Sequence, residues 1–118
     1  MLPSEEIVYA LKNDAALANI TGDRVYFLAP PIEPIYPLLV YSEASDTAAW
    51  FADNEEQAAE IAWNVSVLNT GSTTAIANRV VAVMAGLGYY RDVKHDLVDS
   101  GVYAKVMRFK TTKEVQNG

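Results

Sequence analysis

The single histidine, His95, lies in the run Asp92-Val93-Lys94-His95-Asp96-Leu97-Val98-Asp99, the only place where an imidazole and carboxylates are neighbours in sequence. Such a set could hold a metal ion or form a His-Asp pair. The surrounding residues favour a strand, however, and strand side chains alternate faces. His95 would then point away from Asp92, Lys94 and Asp96, and one imidazole in a chain without cysteine makes a poor zinc site. A Ser-His-Asp triad would also have to use His95, and no serine sits in a nucleophile-elbow pattern. Gly71-Ser72-Thr73-Thr74 opens a helix and could meet an anion there, but it lacks the lysine and second glycine of a phosphate loop, so capping is the expected role. Glu55, Glu56 and Glu60 have no apolar surroundings to raise a carboxyl pKa for acid-base work. Asn19-Ile20-Thr21 and Asn64-Val65-Ser66 match glycosylation sequons without a secretory signal before them, and Pro31-Ile32-Glu33-Pro34 reads as a stiffened loop rather than a PxxP ligand. No catalytic, cofactor-binding or metal-binding residue is expected, and the chain is not expected to be an enzyme.

One pair stands out for a different reason. Trp50 and Phe51 sit in the middle of the polar stretch Glu43 to Gln57, where large aromatics are costly in water and suited to burial in an interface. They either fold back on the core or insert into a neighbouring subunit. Together with the nearby Asp46 and Asp53, they are the candidate subunit-contact residues.

Hydrophobic residues make up 51% of the 118-residue chain and charged residues 20%, an ordinary globular balance that fits one domain, 1–118, with one core. The absence of cysteine leaves stability to packing. A formal net charge of −6 argues against wrapping nucleic acid, though an acidic surface can stand beside DNA without holding it. No stretch approaches the roughly eighteen apolar residues of a membrane span, and the start of the chain lacks a basic, then apolar signal pattern. The expectation is a protein that stays in the compartment where it is made and meets no membrane.

These residues need elements to position them. Ile7, Leu11, Ala15 and Ala18 recur at helical spacing between Ser4 and Asn19, with Ser4 as N-cap, Glu5 and Glu6 in the first turn, and Thr21-Gly22-Asp23 as the stop. Arg24 to Leu28 reads as a short strand running into the four-proline segment Ala29 to Pro37, and Leu38 to Ser42 as a second strand. Glu43 to Gln57 reads as a long hairpin connection. From Ala59 to Leu68, Ile61, Trp63, Val65 and Val67 alternate with polar or small residues, which predicts a strand buried on one face. Ser72 or Thr73 caps a helix striped by Ile76, Val80, Val83, Met84 and Leu87 and stopped by Gly86 and Gly88. Tyr89 to Val98 and Val102 to Thr112 form a hairpin around Asp99-Ser100-Gly101, and Lys113 to Gly118 is expected to fray. The order is helix-strand-strand-strand-helix-strand-strand. This is an α+β fold, with about five strands in an antiparallel or mixed sheet and both helices on one face, where their stripes are buried.

The order and local signatures of these elements resemble the tail-completion or tail-terminator proteins of long-tailed bacteriophages and prophages. The carriers are Lys12-Asn13-Asp14-Ala15-Ala16-Leu17-Ala18-Asn19-Ile20, Gly22-Asp23-Arg24-Val25-Tyr26, Ala29-Pro30, Pro37-Leu38-Leu39-Val40-Tyr41, Ile61 to Val67, the helix Thr73 to Leu87, and the last strand ending Arg108-Phe109-Lys110-Thr111. The resemblance implies a virion structural protein that assembles in the host cytoplasm into a ring, usually a homo-hexamer. Such a ring caps the finished tail tube at the head-proximal end. Its partners would be further copies of itself, the tail-tube protein and a head-closure or connector protein, with DNA passing through unbound. Another connector subunit such as a stopper is the alternative within this class. A small ligand-binding or enzymatic α+β domain is the alternative outside it.

Overall fold

Ile61, Trp63, Val65 and Val67 lie along one face of a long strand, and the register carries that face to the neighbouring strands, opposing Val65 to Met107 and Trp63 to Phe109. A computed structural model describes residues 2–52 and 55–114, with side-chain surroundings for 2–44 and 61–111. The elements run α1 (Pro3–Asn13), α2 (Ala15–Ile20), β1 (Val25–Phe27), β2 (Leu38–Ala52), β3 (Glu55–Asn69), α3 (Thr74–Gly86), β4 (Tyr90–Asp99) and β5 (Val102–Glu114). One five-stranded sheet has the order β1-β2-β3-β5-β4. Only β1 and β2 pair in parallel, so the sheet is mixed and mostly antiparallel.

The core is one cluster on one side of this sheet. Ile7 and Leu11 from α1, Leu17 from α2, and Ile76, Val80 and Met84 from α3 close over Leu39, Trp63, Val65, Val67, Met107 and Phe109. Each fully buried aliphatic or aromatic side chain contributes roughly 1.5–3 kcal/mol relative to exposure, and this cluster stabilises the α+β arrangement. One cost is visible inside it: the indole Nε1 of Trp63 is buried with no hydrogen-bond partner among the described residues.

The first helix departs from expectation. Leu2, rather than Ser4, is the N-cap, and Pro3 occupies the first turn, where its missing N–H costs nothing. The helix also breaks at Asp14, which is extended (ψ 128°), and its carboxylate accepts a bond from the Leu17 N–H at 3.1 Å to cap α2. On an uninterrupted helix at about 100° per residue, Leu17 would sit about 120° around from Leu11. The break lets both be buried, whereas Ala15 and Ala18 of the expected stripe are exposed.

The larger departure is at Glu43 to Gln57, which is not a loop. β2 continues to Ala52 and β3 begins at Glu55, so the hairpin forms an arm in which Asp46 opposes Ile61 and Phe51 opposes Glu56. Backbone pairing sustains a ladder whatever the side-chain pattern. Bulges between Glu43 and Ser45, Ala48 and Trp50, and Trp50 and Phe51 also shift the alternation each time, which hides the strand from a period-two reading. A strand of fifteen residues at about 3.3 Å each spans about 50 Å, matching the 52 Å long dimension of the molecule against 27 and 25 Å for the others. β5 likewise runs beyond the expected Thr112 to Glu114, where Lys113 opposes Ala59 at the root of the arm.

Candidate assembly surface

Three of the four residues singled out for subunit contact fall on the arm. Asp46, Trp50 and Phe51 are strand residues of β2, not tips of a loop, and only their backbone is described. Asp53 lies outside the described residues, and the side chains of Glu55, Glu56 and Glu60 are likewise not described.

His95 is exposed on β4, opposite Val106. Asp96 faces the other way and pairs with Lys105 at 2.7 Å, as alternation requires. Asp92 does not follow simple alternation. A bulge between Arg91 and Val93 turns its carboxylate onto Arg108, whose Nε donates at 3.0 Å, and towards Lys110 at 3.5 Å. Arg108 and Lys110 share the helix-free face with His95, so Asp92 is brought to the imidazole's side of the sheet, contrary to the strict-alternation expectation. No group of three or more metal-ligating side chains converges among the described residues.

The Gly71–Thr74 segment opens α3 with Thr73 as N-cap, but the hydroxyl facing the helix belongs to Ser72, which accepts from the Thr74 N–H at 3.4 Å. Asn69 ties the turn, its Nδ2 donating to the Ser72 carbonyl and its Oδ1 accepting from the Thr70 N–H, both at 2.9 Å. This segment borders a hollow of about 530 Å³ together with Asp96, Tyr103 and Lys105. Lys105 is 8% exposed, and its ammonium is committed to Asp96. The hydrogen bond from Lys105 holds the Asp96 carboxyl below its ordinary pKa, and the bond from Arg108 does the same for Asp92.

Sequence reading missed two apolar flanks. Phe27, Leu28, Ile32 and Ile35 are exposed beside β1, with Ile32 fully so. At the opposite edge Tyr90, Val93, Leu97 and Val98 are exposed along β4. Adjacent apolar residues at Leu97-Val98 were the available signal, because a strand that is apolar on both faces has neither face committed to solvent.

An α+β subunit of this shape, with a core on one side, a projecting arm and two apolar edges, belongs to the class of assembly proteins. Residues 5–104 match the family model of Tail completion protein gp17, and the chain belongs to that family. It is a structural component of a phage-like tail, and its partners are other structural proteins of that particle. Among curated proteins the comparison finds no match. Fourteen solved chains match; one, from a virion of a native gene transfer agent particle, shares 19% identity over 92% of each chain with a TM-score of 0.63, and so has the same fold.

Proposed function

We propose that this chain is the subunit of a homo-hexameric ring that caps the finished tail tube and joins it to the head, a structural and not a catalytic role. The family match over residues 5–104 carries the reading. The shape supports it, because a closed ring needs a heterologous interface between two different patches on each subunit, and the chain has two dissimilar edges on opposite flanks of its sheet. The arm of β2 and β3 extends beyond the helix-covered core and is the part suited to reach a neighbour or the tube. Trp50, Phe51, Asp46 and Asp53 remain the proposed contact residues. The acidic balance of the chain, −6 formally, suits a channel through which DNA slides without sticking.

Light scattering across a concentration series, alone and with the tail-tube protein of its own particle, tests this. The expected result is a hexamer mass, free or templated by the tube. A monomer that ignores the tube and binds a head connector instead would reassign it as a stopper. A monomer that binds neither would end the ring reading.

A further inference from the structure

We propose that the ring is closed edge to edge: β4 of one subunit seats against the β1 and Ala29–Pro37 flank of the next copy. The proposal rests on the ring reading above and names the surfaces that make it.

The sheet order places β1 at one edge and β4 at the other. Each edge carries ladder groups that face no strand of the same subunit, and such edges are ordinarily guarded by charge, brevity or cover. β4 is ten residues long and exposed along its whole length. Two of its three acidic residues have their charge met within the subunit, Asp92 by Arg108 and Lys110 and the still largely exposed Asp96 by Lys105, while Asp99 stands exposed at the turn. Between these charges the strand exposes Val93, Leu97 and Val98, with Leu97 56% exposed.

The opposite flank is as apolar and is held rigid. Leu28 has φ of 73°, with the Ala29 N–H bonded back to the Phe27 carbonyl at 2.8 Å, a γ-turn that strains any residue bearing a Cβ. The turn holds Leu28 69% exposed beside Phe27, and the prolines that follow stiffen the segment carrying Ile32 and Ile35. A backbone already constrained in the free subunit loses little entropy on docking.

Strand sense and charge identify the occupant as a second copy. β2, β3, β5 and β4 alternate direction while β1 runs with β2, so β4 is antiparallel to β1. Rotation about a ring axis keeps each strand's sense relative to its neighbour, which makes the junction antiparallel, the better-bonded arrangement. Between Phe27 and Pro37 the single charged residue is Glu33, and β4 presents exposed Arg91 and Lys94 to meet it.

The chain has no cysteine, so two single variants, Leu28→Cys and Leu97→Cys, report the junction directly. Under mild oxidation their mixture is expected to form cross-linked pairs. The double variant should ladder towards the ring, and each single variant alone should stay uncross-linked. Leu97→Ser should weaken assembly at least about tenfold with unchanged far-ultraviolet circular dichroism. Cross-linking of Leu97→Cys with itself would mean a two-fold contact and overturn the proposal. A ring mass without cross-links would overturn edge pairing and leave the ring reading standing. No ring, with or without the tube protein, would remove both.

Discussion

The helix-covered centre of the sheet and its outer reaches, β4 and the arm, show opposite patterns. Under α1, α2 and α3 the strand residues Leu39, Trp63, Val65, Val67, Met107 and Phe109 are buried in one cluster. Along β4 every residue is exposed, and beyond Glu43 the ladder of β2 and β3 runs on to Ala52. Strand geometry therefore needs only a paired neighbour, whereas stability needs a covered face.

Substitutions should separate the two regions sharply. Phe109→Ala, in the centre of the cluster and fully buried, is expected to cost about 3–5 kcal/mol in urea denaturation of the monomer. Asp14→Ala should cost about 1–2 kcal/mol, because it removes both the cap of α2 and the pair in which Arg79 Nε donates to Asp14 at 2.8 Å. Asp14→Asn should recover part of that loss by keeping an acceptor for the Leu17 N–H. Leu97→Ser should change monomer stability by less than about 0.5 kcal/mol. If it unfolded the monomer as Phe109→Ala does, the contrast between the regions would be wrong.

Acid should act on the seam between α2 and α3. The bond from Arg79 is the main cause that holds the Asp14 carboxyl below its ordinary value. A carboxylate with a depressed folded pKa adds stability above its unfolded pKa and loses it as pH falls through the folded one. The advantage of the parent chain over Asp14→Asn in urea midpoint is therefore expected above about pH 4 and should shrink below it. An advantage that persisted unchanged at pH 2 would mean that the pair contributes through packing alone.

How much was legible follows the same division. The stripe of α3 and the alternation of β3 could be read because helices and sheet bury one face of each, and burial writes periodicity into sequence. The hairpin at Asp99-Ser100-Gly101 was readable from turn chemistry, with Ser100 and Gly101 both at positive φ. The arm was not readable, since each bulge shifts the alternation and erases the period. The break at Asp14 was hidden because its partner, Arg79, is 65 residues away. The parallel pairing of β1 was hidden because three residues followed by a proline segment do not specify which way the chain returns. For the candidate contact surface, composition pointed to the arm through Trp50 and Phe51. The apolar edges emerged only when the sheet order showed which strands end it.

Trp63 stands in the core with an indole donor that meets no acceptor among the described residues, and Trp50 stands on the arm. With no other tryptophan in the chain, each of the two contrasted regions carries its own fluorophore. Replacing Trp50 by phenylalanine leaves emission that follows unfolding of the core. Replacing Trp63 leaves emission that follows the arm, and removes an uncompensated polar group at the same time. The protein can thus report optically, without a label, whether assembly on a tail changes the environment of its arm while its core stays as it is in the free subunit.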